Sequence, residues 1–522
     1  MNCKFRQGPV VLVSRKIQYV FPLAYAYLAA YLKQHGEHVI ILFKEYPPEK
    51  MASLILELNP LLVGFGNLYP ELKETADIIS ILNKRDRQFP VVIGGQMVSP
   101  TPEFAVKITG ADFGITGEGE ITLHKLVLAL REAKDPLEIK GLAVRQGNDV
   151  IMTGPGEFIE DISQLPKIPY ELFPADKWLP IGKWYAGFVP NSFWHYDDRV
   201  VNIHGGRGCP FNCNFCYHHS KPRYRSIESM MAEASEYLDK FDANILYFSD
   251  DTVLMSPNRA KELVKGIRQL NRKVKFSVST RFDIIARMDD NLLNELHDAG
   301  CIIMGLGFES GSDRILDIIG KNFTVDVMLS GVERLKKAGI LPTGNIMVGQ
   351  YTETAADVEA SIQLMKRSLE IFPQMEYSFS LCTPFPGSAL YNMIMEKGLL
   401  KDDQDFYNKF FSGNDADSWK LIVNLSAMTD KQVHEMYSKL THEYTETKKR
   451  LFSPLLKYIY YSQIAYYRLW RISDRVITRI LPGSTPSGIP RSLVSGIYDC
   501  AQRYTQKINW KLRKLDSFLK NE

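Results

Sequence analysis

Short runs of consecutive apolar residues recur along most of this chain, and nearly every one is followed by a stretch of helical periodicity. Residues 9–13 read PVVLV, 38–43 HVIILF, 61–65 LLVGF, 89–93 FPVVI and 111–116 ADFGIT. Most lack the polar alternation of a strand with one wet face. They predict strands buried on both faces, which requires a parallel sheet covered by helices on each side. Helical stretches such as 22–34 and 71–83 supply that cover. Residues 1–135 are therefore expected to form a doubly wound α/β domain, whose ligands sit at the carboxyl ends of its strands. Those ends are small: Gly66 and Asn67 follow the third strand, Gly94 and Gly95 the fourth, and Gly117, Glu118 and Gly119 the fifth. Glycine lets a large flat ligand approach the backbone, although it is also common at any strand-to-helix turn.

Residues 136–198 are irregular and rich in Pro and aromatic residues, which predicts an ordered apolar connector. Alternation then returns. Strands are expected near 199–204, 245–249, 274–280, 302–308, 344–348 and 377–382, with helices such as 226–240 and 256–270 between them. Six successive β/α units over 199–400 indicate a full or partial parallel barrel, with its chemistry at the strand carboxyl ends. Residues 401–522 read as a helical C-terminal region with a break at residues 481–484. A length of 522 residues allows about three domains, and 63 Lys and Arg against 60 Asp and Glu argue against a strongly basic nucleic-acid binder. No apolar run reaches the length of a membrane span, so a cytosolic protein is the default.

Seven cysteines are too few for a disulfide framework, and three of them crowd into one segment. Residues 208–216 read GCPFNCNFC, placing Cys209, Cys213 and Cys216 in a C-x-x-x-C-x-x-C spacing directly after the first barrel strand. Three thiolates on one tight loop can hold three irons of a [4Fe–4S] cluster, leaving the fourth iron open to a substrate or cofactor. Zinc is the alternative, with His218 or His219 as a fourth ligand of a non-catalytic binding protein.

This loop resembles the signature of the radical S-adenosylmethionine superfamily in spacing, in position, and in the aromatic Phe215 before the third cysteine. The resemblance implies that the open iron chelates S-adenosylmethionine. Residues 305–312 (GLGFESGS) resemble the fourth-strand motif, which implies cofactor contacts from Glu309, Ser310 and Gly311. Residues 344–349 resemble the fifth strand, whose backbone faces the adenine, and this includes Met347. Arg281 follows the third strand, where polar residues reach the pocket. The run QYTET at 350–354 stands where the family often has LPGET.

With the N-terminal part included, residues 1–400 resemble the cobalamin-binding subclass, whose first domain is Rossmann-like. The resemblance implies that cobalamin lies on Gly66, Asn67, Gly94, Gly95, Gly117, Glu118 and Gly119. Residues 14–21 contain no His, so the D-x-H-x-x-G cobalt-ligand motif is missing and the lower face should lack a histidine. The implied activity is methyl transfer to an unactivated carbon or phosphorus centre. One S-adenosylmethionine would methylate the corrinoid, and a second would yield the radical that activates the substrate. Cyclisation, ring contraction or rearrangement with the same cofactors is the alternative. An electron donor such as flavodoxin or ferredoxin is implied, and no nucleic acid. Residues 447–522 carry 15 Lys and Arg against 4 Asp and Glu, interleaved with Tyr and Trp. That composition suits peripheral contact with an anionic membrane and a lipid-like substrate, or a helical cap over the barrel with a solvated basic face.

Overall fold

The computed structural model describes residues 7–16, 20–66, 68–179, 198–217, 220–412 and 420–452. Two sheets organise them. The first has seven strands: β1 (Val10–Ser14), β2 (Val39–Phe43), β3 (Leu62–Gly66), β4 (Val91–Gly94), β5 (Phe113–Ile115), β6 (Leu142–Gln146) and β7 (Asp149–Met152). Their order is β2-β1-β3-β4-β5-β6-β7, parallel through β5. All five residues of β1 are buried, as expected for a strand covered on both faces. The chain direction across the sheet reverses between β1 and β3, and a crevice opens at the strand ends beside such a switch point.

One expectation needs correction. The irregular connector does not begin at 136, because β6 and β7 extend the first sheet as an antiparallel hairpin. Only Leu142, Ala143 and Val144 are buried there, while β7 lies largely exposed at the edge. Three apolar residues are too few to register as a strand by run length. The turn at Gly147, whose φ is +64°, was the local sign of a hairpin.

After the hairpin, Ile162, Leu165, Ile168, Tyr170, Phe173 and Trp178 join the core of the second sheet. The Tyr170 ring lies 5.0 Å from Phe21 and 5.0 Å from Tyr237, and its hydroxyl accepts a hydrogen bond from the Asn202 amide at 2.9 Å. The connector thus ties the first domain to the first strand of the second. That second sheet comprises β8 (Val200–Ile203), β11 (Ile245–Phe248), β12 (Lys275–Thr280), β13 (Cys301–Glu309), β14 (Leu341–Val348) and β15 (Glu376–Leu381). It is wholly parallel and open between β8 and β15, so the barrel is partial. A short antiparallel ribbon, β9 (Gly206–Arg207) with β10 (Arg223–Tyr224), follows β8.

The helix Asp430–Leu451 starts with a capping box between Thr429 and Gln432 and packs along the helix Ala355–Ile371. The charged run, the aromatic residues and the break expected beyond 452 lie outside the described residues, as do Cys3 and Cys500. Among the described residues no helix is long and apolar enough to cross a membrane.

Lys448 fastens this last helix. Its ammonium is fully buried and donates to the carbonyls of Pro373 and Met375 and to the Glu376 carboxylate. Lys448→Met strands that acceptor set, and is expected to lower unfolding stability by about 3 kcal/mol in urea titration.

Candidate functional site

The cysteine loop is framed before it is filled. Asp250 accepts hydrogen bonds from the amides of Gly205 (2.8 Å) and Gly206 (2.9 Å), which sets the exit of the chain from β8. The ribbon of β9 and β10 then brackets residues 208–222. Gly208 has φ +71°, and a Cβ there would fall 2.5 Å from the Ser220 carbonyl, so no side chain fits. Asn214 pins the loop to the neighbouring helix end: its amide donates to Ile319 O (3.2 Å) and its side chain to Ile318 O (3.0 Å).

Cys209 and Cys213 are half-buried and Cys216 is exposed. The Cys209 sulfur lies 3.8 Å from the Thr252 hydroxyl, and an Arg281 guanidinium nitrogen lies 3.6 Å from the Cys213 sulfur. Burial pushes the Cys213 thiol up, while Lys321 and Arg281 oppose that shift. Among the described residues no three Cys, His, Asp or Glu side chains already converge into a metal-holding set. The donor chemistry nonetheless fits an iron–sulfur cluster. Three soft sulfurs share a short loop, with cations beside them to offset thiolate charge. His218 and His219 lie outside the described residues.

Lys321 draws the remaining site residues together. Its ammonium lies 3.0 Å from Glu309 Oε1 and 5.7 Å from the Phe215 ring centre, and its carbonyl accepts from Arg281. The Arg281 guanidinium in turn stacks 3.8 Å from the Phe211 ring centre. Glu309 ends β13 with φ +63°, where the register with β14 shifts, and its Oε2 accepts from Asn345 at 3.2 Å. A non-glycine residue in that conformation is held by its surroundings. Here Gln350 holds it, donating to the Glu309 carbonyl at 3.0 Å and to the Met347 carbonyl at 3.3 Å. Ser310 and Gly311 serve the same turn from outside. The Gly311 amide donates to the Ser361 hydroxyl at 2.7 Å, and a Cβ on Gly311 would meet Ala360 O at 2.4 Å. Both pack the turn onto the helix Ala355–Ile371.

Lys321 and Gln350 were not among the residues the sequence singled out for cofactor contact. A Lys just past a short helix ordinarily faces water, and only its burial at 5 % exposure marks it. Gln350 opens the run that departs from the family pattern, and that departure was the available signal. Nearby Glu353 is wholly buried, accepts from the Gly349 and Gln350 amides, and has its carboxyl pushed up to about 8 by burial. Its Oε1 has no partner among the described residues. Cys382 sits in the core with a thiol pushed up to about 12 by burial, and Cys301 is fully buried.

A cavity of about 300 Å³ lies between the two sheets. Gly66, Gly94, Gly95, Gly117 and Gly119 line it from the first sheet, and His204, Arg207, Gly208, Ser249 and Asp251 from the second. A Cβ on Gly66 would meet nothing within 4 Å, and one on Gly94 would come no closer than 3.9 Å to Ile115. The bare backbone therefore forms a wall against which a flat molecule can lie. Tyr25 stiffens that wall, donating to Val13 O and accepting from the Gly66 amide, both at 2.7 Å. Asn67 falls outside the described residues. Glu118 lines the cavity too, but its carboxylate is engaged by Arg207 and Arg223. His204, a residue the sequence did not flag, reaches the cavity with Nδ1 3.0 Å from Asp250. A second cavity of about 360 Å³ runs along β12 to β15, lined by small and polar residues such as Ser279, Gly305, Gly307 and Asn345. Asp251 borders both.

Two family models match the chain: the B12 binding domain over residues 10–127 and the radical SAM superfamily over residues 203–365. An uncharacterized methyltransferase of Pyrococcus horikoshii is 28% identical over 387 residues, covering 73% of this chain and 79% of its own. Two solved structures share the fold. The radical S-adenosylmethionine methyltransferase TsrM from Kitasatospora setae, with cobalamin and a [4Fe-4S] cluster bound, aligns with TM-score 0.59 and 20% identity over 75% of each chain. The cobalamin-dependent S-adenosylmethionine radical enzyme OxsB, with aqua-cobalamin and S-adenosylmethionine bound, aligns with TM-score 0.63 and 14% identity over 99% of this chain and 80% of its own.

The cavity wall and the buried carboxyl each generate an expectation. Gly94→Val fits the fold but projects into the cavity. It is expected to weaken retention of added hydroxocobalamin by about tenfold, a loss of about 1.4 kcal/mol, with an unchanged circular dichroism spectrum. For Glu353 the sign follows from the raised folded-state pKa. Its stabilisation is complete below the unfolded value of 4.5 and is lost as pH rises through about 8. Glu353→Gln removes this dependence. Between pH 5 and 9 the variant should gain on the unaltered protein by on the order of 4 kcal/mol in urea titrations.

Proposed function

We propose that this chain, which belongs to the cobalamin-dependent branch of the radical S-adenosylmethionine superfamily, is a methyltransferase acting on an unactivated carbon or phosphorus centre of a small molecule. The observation that carries this reading is the cavity walled by both sheets. One side is the glycine-lined strand edge, and the other ends at Gly208, one residue before the first loop cysteine. A methyl carrier lying on the glycines would thus border the place where S-adenosylmethionine is opened. Bound together, the cluster, S-adenosylmethionine and corrinoid supply one-electron cleavage and a transferable methyl group.

The protein's own part is binding and placement. Cys209, Cys213 and Cys216 hold three irons, and Arg281 and Lys321 offset the charge of the assembly. Glu309, with Lys321 and Asn345 on its two oxygens, offers a carboxylate for the ribose or ammonium of S-adenosylmethionine. Phe215 lies near it across Lys321, and the Met347 carbonyl is tied to the same turn through Gln350. Gly66, Gly94, Gly95, Gly117 and Gly119 carry the corrinoid, with Asn67 beside them in sequence. On this reading the corrinoid domain runs through Met152, and the barrel takes residues 199–400. A flavodoxin- or ferredoxin-type donor supplies the electron. The composition of residues 447–522 supports a finer reading, a lipid-like substrate met at an anionic surface, which sedimentation with anionic liposomes at low salt tests.

Anaerobic turnover with methyl-labelled S-adenosylmethionine and a cell extract should place the label in a stable product. An altered product carrying no label would instead favour cyclisation or rearrangement. Cys213→Ala is expected to drop iron from about four per chain to near zero and to abolish 5′-deoxyadenosine formation. Cys301→Ala and Cys382→Ala should retain both, because those thiols are buried in apolar cores.

A further inference from the structure

Two arginines face each other across the ribbon that frames the cysteine loop: Arg207 in β9 is the register partner of Arg223 in β10. Like charges directly opposite on an antiparallel pair repel. Arg223 is buried and Arg207 nearly so, with side chains 7% and 14% exposed. Their counter-charges come from the other domain. Glu118 accepts from Arg223 on both carboxylate oxygens, its Oε2 also lies 3.0 Å from Arg207, and Glu120 lies 2.6 Å from Arg207. The two carboxylates are themselves about 95% buried. Arg223 additionally donates to the Ile159 carbonyl of the connector. The result is a network of three ion pairs, running from Arg223 through Glu118 and Arg207 to Glu120, whose two cations and two anions balance only when the two domains are docked. Separated, each side would keep a pair of like charges.

The placement of this network matters. Glu118 lies between Gly117 and Gly119, on the wall of the cavity between the sheets. Arg207 is two residues before Cys209, and Arg223 closes the same loop. We propose that the ion-pair network of Glu118, Glu120, Arg207 and Arg223 sets the separation between the corrinoid and the cluster, with Arg223 and Glu118 as positioning residues. This rests on the cofactor assignment above. Because a buried charge left without its partner is costly, the network disfavours partly separated arrangements of the two domains.

The test uses Arg223→Gln, Glu118→Gln and the conservative Arg223→Lys in the full chain, loaded anaerobically with iron, sulfide and hydroxocobalamin. Arg223 does not line the cavity, so its variants should keep their iron and corrinoid content. Pulsed dipolar electron paramagnetic resonance between cob(II)alamin and the reduced cluster should give one narrow separation in the unaltered protein. It should give a broadened distribution in Arg223→Gln, with partial return in Arg223→Lys. Amide hydrogen exchange in residues 117–120 and 206–224 should accelerate by about tenfold in both Gln variants. Unchanged separation and unchanged exchange in loaded Arg223→Gln would overturn the proposal, even if Glu118→Gln does not fold. If the unaltered protein binds neither iron nor corrinoid, the cofactor assignment falls. Hydrogen exchange, which needs no cofactor, still reports whether the ion-pair network locks the domains together.

Discussion

A parallel strand buried on both faces leaves a chain few places to do chemistry. Its sides are committed to helices, and its backbone is spent on its neighbours. Only the carboxyl ends remain, where loops leave the sheet and backbone groups are free to meet a ligand. This chain makes that choice twice. The first sheet ends in glycines at 66, 94, 95, 117 and 119, and the second ends in the cysteine loop, Arg281 and Glu309. The connector brings the two sets of ends together by packing Tyr170 and its aromatic neighbours against β8 and the helix Ile227–Lys240. Everything proposed about function depends on those two edges sharing one cavity.

Charge is then used where apolar packing cannot place an atom accurately. Each buried ion costs several kcal/mol to desolvate unless it is fully partnered, so a buried pair is weak evidence for stability. The pairs here are concentrated around the site. Lys321 joins Glu309 beside Phe215, Arg281 reaches from Phe211 to Cys213, and the four-residue ion-pair network spans the domain boundary. Directional bonds of this kind fix orientation as well as distance. Lys448 shows the same device in a purely structural role, holding a helix to the start of β15.

The architecture was largely legible because run length and helical spacing are local properties. The five parallel strands of the first sheet and the six of the second start and stop within a few residues of where the apolar runs predict. The hairpin at 142–152 was not, since three buried apolar residues do not form a run and its outer strand is an exposed edge. Among site residues, the three cysteines and the glycines announce themselves by spacing and size. Lys321, Gln350 and His204 do not, because each is a common polar residue whose significance lies in what surrounds it. Glu118 was legible as a cavity residue but not as an ion-pair partner, for its two arginines lie 89 and 105 positions away.

What the sequence determined by itself was the set of strands, their burial, and the cysteine triplet with its soft-donor chemistry, since each follows from residue type and spacing along the chain. What only the tertiary structure decided was which ends meet and which charges answer one another. The cavity shared by Gly94 and Gly208, and the glutamate between Arg207 and Arg223, are contacts of high sequence separation, and even the lysine beside Glu309 comes from beyond an intervening helix. Opposite charges carry no record in the sequence of which partner they will find. That is settled only when burial removes the water that would otherwise have served either of them.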